Sequence, residues 1–215
     1  MLLLCPCAIH DASQFFKQAS DLRFYTFLIA FTVAIFLGLG SAWIALERGY
    51  GLERRVNGVW YSYPDRGSPD AGPYARAQLA VAGRLIPGRA EGMVFYADMD
   101  SAGHALLRQC SYRIQGEFPQ ARFWSLNAQD EAGAVIRTAG LSPSFVSDHA
   151  TYGENGTISL VIASRIVSGN WLGISGEGPM RLVLSLFDTP ASANFGLAQS
   201  TMPTITRLTC AGDRQ

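Results

Sequence analysis

Lysine is almost missing from this chain, Lys17 being the single one among 17 basic residues. Those 17 are balanced by 17 acidic residues, so no excess charge of either sign is present. Binding to nucleic acid needs a clustered basic face, and this balance gives that class no support. Histidine is scarce too, with three in 215 residues, and the three are scattered. Cys110 and Cys210, a hundred residues apart without a C-x-x-C or a neighbouring histidine, do not read as a zinc site.

Charge is missing altogether from one long run, "FYTFLIAFTVAIFLGLGSAWIAL", Phe24 to Leu46. About 20 apolar residues in a helix cross the roughly 30 Å hydrocarbon core. A helix also satisfies its own backbone, which lipid cannot do. Trp43 and Tyr50 fall where an interfacial aromatic belt is expected. A cleaved signal would have a shorter apolar region ending in small residues, and here "GSA" is followed directly by Trp43. The run is therefore expected to be an uncleaved anchor, with the membrane as its partner. Orientation is undecided by charge, since Lys17 and Arg23 precede the run while Arg48, Arg54 and Arg55 follow it.

Around this anchor the sequence divides into a short cytoplasmic tail over 1–23, the span over 24–46, a linker over 47–57 and a β-rich domain over 58–215. "VWYSYP" alternates and is aromatic, which predicts a first strand. "GSPDAGPYARAQLAVAGRL" predicts a helix, with Ser68 or Asp70 as its cap and Ala75, Leu79 and Ala82 at helical spacing. From Gly92 onward strands dominate: "GMVFYAD", "QCSYRIQGE", "ARFWSLNAQ", "GTISLVIAS" after the Asn155-Gly156 turn, "MRLVLSLFDTP" and "TITRLTC". A polar glycine-containing turn after "NAQ" predicts a hairpin. Short strands in this number, with one or two short helices, predict a mainly β fold, an antiparallel β-sandwich or jelly roll. Cys110 and Cys210 read either as one disulfide of an oxidising compartment or as two unrelated buried thiols. Cys5 and Cys7 precede the span and are expected to stay reduced in the cytoplasm.

The chemistry-bearing candidates are sparse. "SGNWLGISGEGP" is rich in glycine, but a P-loop needs a lysine and a following helix, and Glu177 repels phosphate. Nor is it a nucleophile elbow, because Ser175 is followed at once by Gly176 and both nearby histidines, His104 and His149, precede it. A sandwich corner explains the glycines better. Asp98, Asp100 and His104 in "DMDSAGH", with Asp148 and His149, offer metal ligands, but a turn rich in Asp, Ser and Gly accounts for the same residues. No metal site, no cofactor and no catalytic residue is predicted. A polar cleft is the remaining candidate, with Tyr74, Arg76, Glu91, Arg122, Trp124, Asn170 and Trp171 as ligand-binding residues. Arginine beside aromatics suits a sugar, carboxylate or phosphorylated ligand. The opposing reading makes Trp124 and Trp171 core residues and Arg76–Glu91 a structural ion pair.

The combination "ARFWSLNAQDEAG", "NGTISLVIAS", "GNWLGISGEGPMRLVLSLFDTP" and "PTITRL" resembles the bacterial domain of unknown function 1214. "RGSPDAGPYARAQLA" and "AEGMVFYADMDSAGHAL" are similar to its small membrane-anchored form, so that the likeness covers roughly residues 38–212. The resemblance implies an N-terminal helix, a β-rich domain on the far side of the inner membrane and no established activity. Relatives of the small form often keep both downstream cysteines, which favours the pairing of Cys110 with Cys210. Larger relatives carry a companion domain, of unknown function 1254, that is not seen here. Two departures stand out: "NWLGISGEG", where a Pro or Thr often follows the Leu, and a longer N-terminal tail. The expected function is an envelope-associated binding or interaction module, with an envelope glycan, a lipid or a membrane protein as partner. The alternative is a periplasmic enzyme acting on an envelope glycan or lipid. Small residues in "GLGSA", Gly38 to Ala42, would suit packing against another membrane helix.

Overall fold

The computed structural model describes residues 7–47, 54–64, 66, 68, 71–83, 88, 91–190 and 201–211. The chain divides after Tyr50 into a helical unit and a β-rich unit beginning at Gly51.

Helix α1 runs Cys7–Glu47, so the segment expected as a short tail is helical from Cys7. Within it, Arg23–Ala45 is long and apolar enough to cross a membrane. At about 1.5 Å per residue its 23 residues reach roughly 35 Å, more than the hydrocarbon core requires. Phe27, Phe31, Phe36, Leu37 and Leu39 all point outward, as in a helix whose apolar partner is not protein. The hydroxyls inside the run are satisfied locally: Thr32 donates to the Leu28 carbonyl at 2.8 Å and Ser41 to the Gly38 carbonyl at 2.9 Å. Cys5 and Tyr50 lie outside the described residues.

The second unit is two sheets face to face. The larger has six strands: β1 Arg55–Asn57, β2 Trp60–Ser62, β3 Gly92–Ala97, β5 Phe123–Gln129, β6 Ser144–Val146 and β9 Arg181–Phe187. They are ordered β1-β2-β3-β9-β5-β6. The smaller holds β4 Cys110–Gly116, β7 Ile158–Ala163, β8 Asn170–Gly173 and β10 Thr204–Cys210, in the order β10-β4-β7-β8. Alternation decides the faces. Phe95, Trp124, Leu126, Leu182, Leu184 and Leu186 of the larger sheet meet Tyr112, Ile114, Leu160, Ile162 and Ile205 of the smaller, all buried. Tyr112 brings its hydroxyl into this core and accepts the Leu107 N–H there at 2.8 Å.

The mainly β sandwich is as the sequence predicts, with four differences. β1 lies inside the expected linker. β6 and β8 were not foreseen as strands, being three and four residues long. The hairpin after β5 is reduced to a single bridge, Gln129↔Val135, and the strand that pairs next with β5 is β6. Finally, β8 runs parallel to β7, so the smaller sheet is mixed. Residues 164–169 double back through Gly169 at φ 89°, and side chains then tie β8 down. Trp171 Nε1 donates to the Ala163 carbonyl at 3.1 Å, and Asn170 Nδ2 donates to the Ser159 carbonyl at 3.2 Å.

Helix α2, Pro73–Ala82, is capped by Gly72 rather than by Ser68, and Asp70 lies outside the described residues. Pro73 occupies the first helical position, where its missing N–H costs nothing, and Gly83 closes the helix in the left-handed conformation. The disulfide is formed: Cys110 and Cys210 face each other across the β4–β10 pair, 100 residues apart in sequence.

Candidate functional site

β2 places Trp60 and Tyr61 on opposite sides, as successive strand residues must be. Trp60 goes inward and its Nε1 donates to the Pro203 carbonyl at 2.7 Å. Tyr61 goes outward and pairs across strands with Tyr96 of β3, which in turn pairs with Val183 of β9. Here the outer face of the larger sheet is itself covered. Tyr61, Tyr96 and Val183 are buried and pack with Tyr63 and Val94 as a second apolar cluster. This explains why β9 reads "LVL" without alternation: the middle residue is buried on the other side.

The three tyrosine rings touch one another, with centroids 5.6 Å apart for Tyr61–Tyr96, 5.7 Å for Tyr61–Tyr63 and 6.2 Å for Tyr63–Tyr96. Three guanidinium groups lie over them: Arg54 at 3.9 Å from the Tyr61 ring centre, Arg66 at 5.8 Å from Tyr63 and Arg181 at 5.9 Å from Tyr96. Within about 6 Å of a ring centre such a cation is attracted by the ring's negative face. Among the described residues one carboxylate is tied into this group. Asp98 accepts the Tyr61 hydroxyl on Oδ2 at 2.6 Å and Arg181 Nε on Oδ1 at 2.6 Å. Arg66 Nε is buried and has no hydrogen-bond partner among the described residues.

Electrostatics follow from that packing. Burial, and then the hydrogen bond to Asp98, push the Tyr61 hydroxyl far above its ordinary acidity range, against the opposing pull of Arg181. Burial works to lower the Arg181 guanidinium, but the Asp98 hydrogen bond and the neighbouring Tyr61 outweigh it and hold the pKa above its ordinary value. Tyr61 is thus a fixed donor rather than a proton shuttle. Among the described residues, three arginines stand against one aspartate, with their guanidinium groups over aromatic rings. Such a surface suits phosphate or carboxylate, through paired N–H donors.

The seven residues expected to bind ligand are not brought together. Trp124 is 4% exposed in the main core, stacked on Phe118 at 4.6 Å, so the packing reading describes it. Asn170 is buried and braces a loop: Oδ1 accepts the Thr151 N–H at 2.8 Å, and Nδ2 donates to the Thr151 carbonyl at 2.7 Å. Trp171 is half-buried at the sheet edge. Tyr74 and Arg76 are exposed on α2. Glu91 and Arg122 do meet at one end of the larger sheet, through the backbone of Asp188, whose N–H goes to Glu91 and whose carbonyl takes the Arg122 N–H. Arg122 also approaches the Asp188 carboxylate at 3.9 Å, with both side chains largely in water.

The glycine-rich segment is a corner. Gly176 and Gly178 take φ of 89° and 99°, and Gly178 is held by Arg108 and Gln109. "DMDSAGH" is a turn: Asp100 Oδ1 accepts the N–H groups of Ala102 and His104, while Asp98 belongs to the tyrosine face. Asp148 and His149 lie exposed in a 3-10 turn. Among the described residues, no three of His, Cys, Asp and Glu are grouped to hold a metal. Arg54, Tyr61, Tyr63, Arg66, Tyr96 and Arg181 were missed as a site. The signal that could have shown them is the outward tyrosines of "YSY" and "FYAD", each read only as strand.

Fold and site together define a two-sheet sandwich with a tyrosine–arginine face, preceded by a helix able to span a membrane. The family model described as "Protein of unknown function (DUF1214)" matches residues 91–191. The resemblance drawn from sequence thus holds from β3 through β9, and the helix lies outside the match. Among solved structures, the VPA0106 protein from Vibrio parahaemolyticus is similar over 65% of this chain and 36% of its own, at 18% identity and a TM-score of 0.51. An uncharacterised protein from Burkholderia cenocepacia aligns over 85% of this chain and 54% of its own, at 15% identity and a TM-score of 0.41. The first likeness shows the fold alone, and this chain spans about a third of that protein's length. No curated protein matches.

Proposed function

We propose that this is a single-pass membrane protein whose β-sandwich stands in the periplasm and binds an anionic envelope ligand on the tyrosine–arginine face. One observation carries the reading: three arginines over three mutually touching tyrosines, with Asp98 bonded to Arg181 and Tyr61 as the one carboxylate tied in among the described residues. The apolar helix supports the anchor, and the Cys110–Cys210 disulfide supports an oxidising compartment. The enzyme reading has less under it. Both Asp98 oxygens are engaged, and the acidity of Tyr61 is suppressed, which leaves neither group poised as a general base.

A thermal-shift series on the full chain in mild detergent tests this. The ligands are glycerol 3-phosphate, phosphorylated sugars, uncharged sugars and divalent metals. A ligand at 100 times its dissociation constant stabilises the folded state by about 2.7 kcal/mol, a shift of several degrees. The proposal expects phosphate esters to raise the midpoint and the Arg54→Ala, Arg66→Ala double variant to lose the effect. A shift given equally by uncharged sugars, and kept by the variant, would contradict it.

A further inference from the structure

We propose that the occupant of the tyrosine–arginine face is the phospholipid surface of the membrane that holds α1, engaged through headgroup phosphates. The inference rests on the anchored, anion-binding reading above and names its ligand. Three observations lead there.

Covalent reach comes first. Helix α1 ends at Glu47, and Arg54 follows seven residues later. Even a fully extended chain of that length spans no more than roughly 25 Å. Arg54 opens the segment that leads into β1, and β1 pairs with β2, which bears Tyr61. Chain length alone therefore limits how far Arg54 can lie from the end of α1. A short tether holds the two at an effective concentration in the millimolar range, so a weak contact is enough.

Charge is the second. Among the described residues, Arg54, Arg66 and Arg181 stand against Asp98 alone on this face, in a chain whose total charge is zero. These arginines lie on the outer face between β1 and β9, with Arg54 nearest the linker. Guanidinium forks match phosphate oxygens in pairs, and contact with the tyrosine rings restrains the side chains, so less entropy is lost on contact.

The rim is the third. Val56 pairs with Tyr61, is 60% exposed and stands beside Arg54 on the same face. Tyr61 and Tyr96 are buried beneath, so Val56 and the half-buried Tyr63 are what this face offers a membrane–water boundary.

Hydrogen exchange on the full chain in nanodiscs tests the proposal, with discs of phosphatidylcholine alone compared with discs that also contain phosphatidylglycerol. Each basic residue near an anionic surface favours contact by about fivefold. Exchange over residues 54–63 and 92–98 should slow by roughly fivefold or more in the anionic discs. The slowing should vanish in the Arg54→Ala, Arg66→Ala variant and persist in Arg165→Ala, whose arginine lies in the β7–β8 connection. If the double variant does not fold, high salt serves instead: screening should abolish the difference between discs for the wild-type chain. Equal exchange in both discs overturns the lipid proposal. If glycerol 3-phosphate still gives an Arg54- and Arg66-dependent thermal shift, the anion site stands and only its lipid occupant falls. If that shift is also absent, both readings fall together.

Discussion

The Tyr61 hydroxyl lies 2.6 Å from Asp98 Oδ2, donating into a carboxylate whose other oxygen is taken by Arg181. Tyr61 follows the linker, Asp98 follows β3 and Arg181 opens β9, so the bond exists only because β2, β3 and β9 are neighbours in one sheet. It ties the register of three strands to the charge of the candidate site.

The pH dependence follows from this bond. A hydroxyl whose folded pKa is raised contributes stability below the unfolded value, about 10 for tyrosine, and loses it as pH rises through the folded value. Ionised Tyr61 would face the Asp98 carboxylate with both groups negative. In an alkaline absorbance titration, Tyr61 should ionise late, together with unfolding. Tyr61→Phe should remove that late step. A Tyr61→Phe curve matching the wild type would contradict the account.

The disulfide closes a loop of 100 residues and fastens β10, an edge strand, to β4. On the chain-entropy model such a loop contributes about 4.7 kcal/mol. The Cys110→Ser, Cys210→Ser double variant should lose roughly 3–5 kcal/mol in urea unfolding. The wild type under reductant should match it. An unchanged midpoint would show that β10 is held by its other bonds.

Two glycines should separate steric from conformational need. A Cβ on Gly92 would collide with the Leu186 carbonyl oxygen across the β3–β9 pair. Backbone cannot yield as a side-chain end can, so Gly92→Ala should cost roughly 3 kcal/mol, the top of the usual overpacking range. Gly178 has open space around it but a φ of +99°, and Gly178→Ala should cost roughly 1–2 kcal/mol. Thermal denaturation of both variants checks the order; the reverse order would refute this packing.

Asn170 and Arg122 make the opposite pair. Asn170→Ala strips partners from the Thr151 N–H and from two carbonyls, and should cost about 2 kcal/mol in denaturant unfolding. Arg122 is 84% exposed beside an exposed Asp188, and Arg122→Ala should stay within about 0.5 kcal/mol of wild type. A stability loss at Arg122 as large as that at Asn170 would mean that its surroundings are misplaced.

The sandwich was legible because its long strands alternate: Cys110, Tyr112 and Ile114 declare one buried face from spacing alone. β8 was not, since four residues ending in glycine carry too little pattern, and nothing in them announces a parallel partner. Cap chemistry pointed to Ser68 where backbone geometry chose Gly72 with Pro73. Trp124, Asn170 and Trp171 stood out as unusual residues, and they are; two of them spend their polarity or bulk inside the fold. The tyrosine–arginine face was hidden for a different reason. Residues 54, 61, 96 and 181 meet through strand order, which composition and periodicity do not encode.

Anchoring by α1 with the β-sandwich in the periplasm underlies the whole account, and reporter topology in intact bacterial cells tests it most directly. A reporter active only in the periplasm, fused after Gln215, should be active, and Cys110 and Cys210 should resist thiol labelling until reductant is added. An inactive reporter, with both cysteines labelled freely, would place the domain in a reducing compartment and contradict the account.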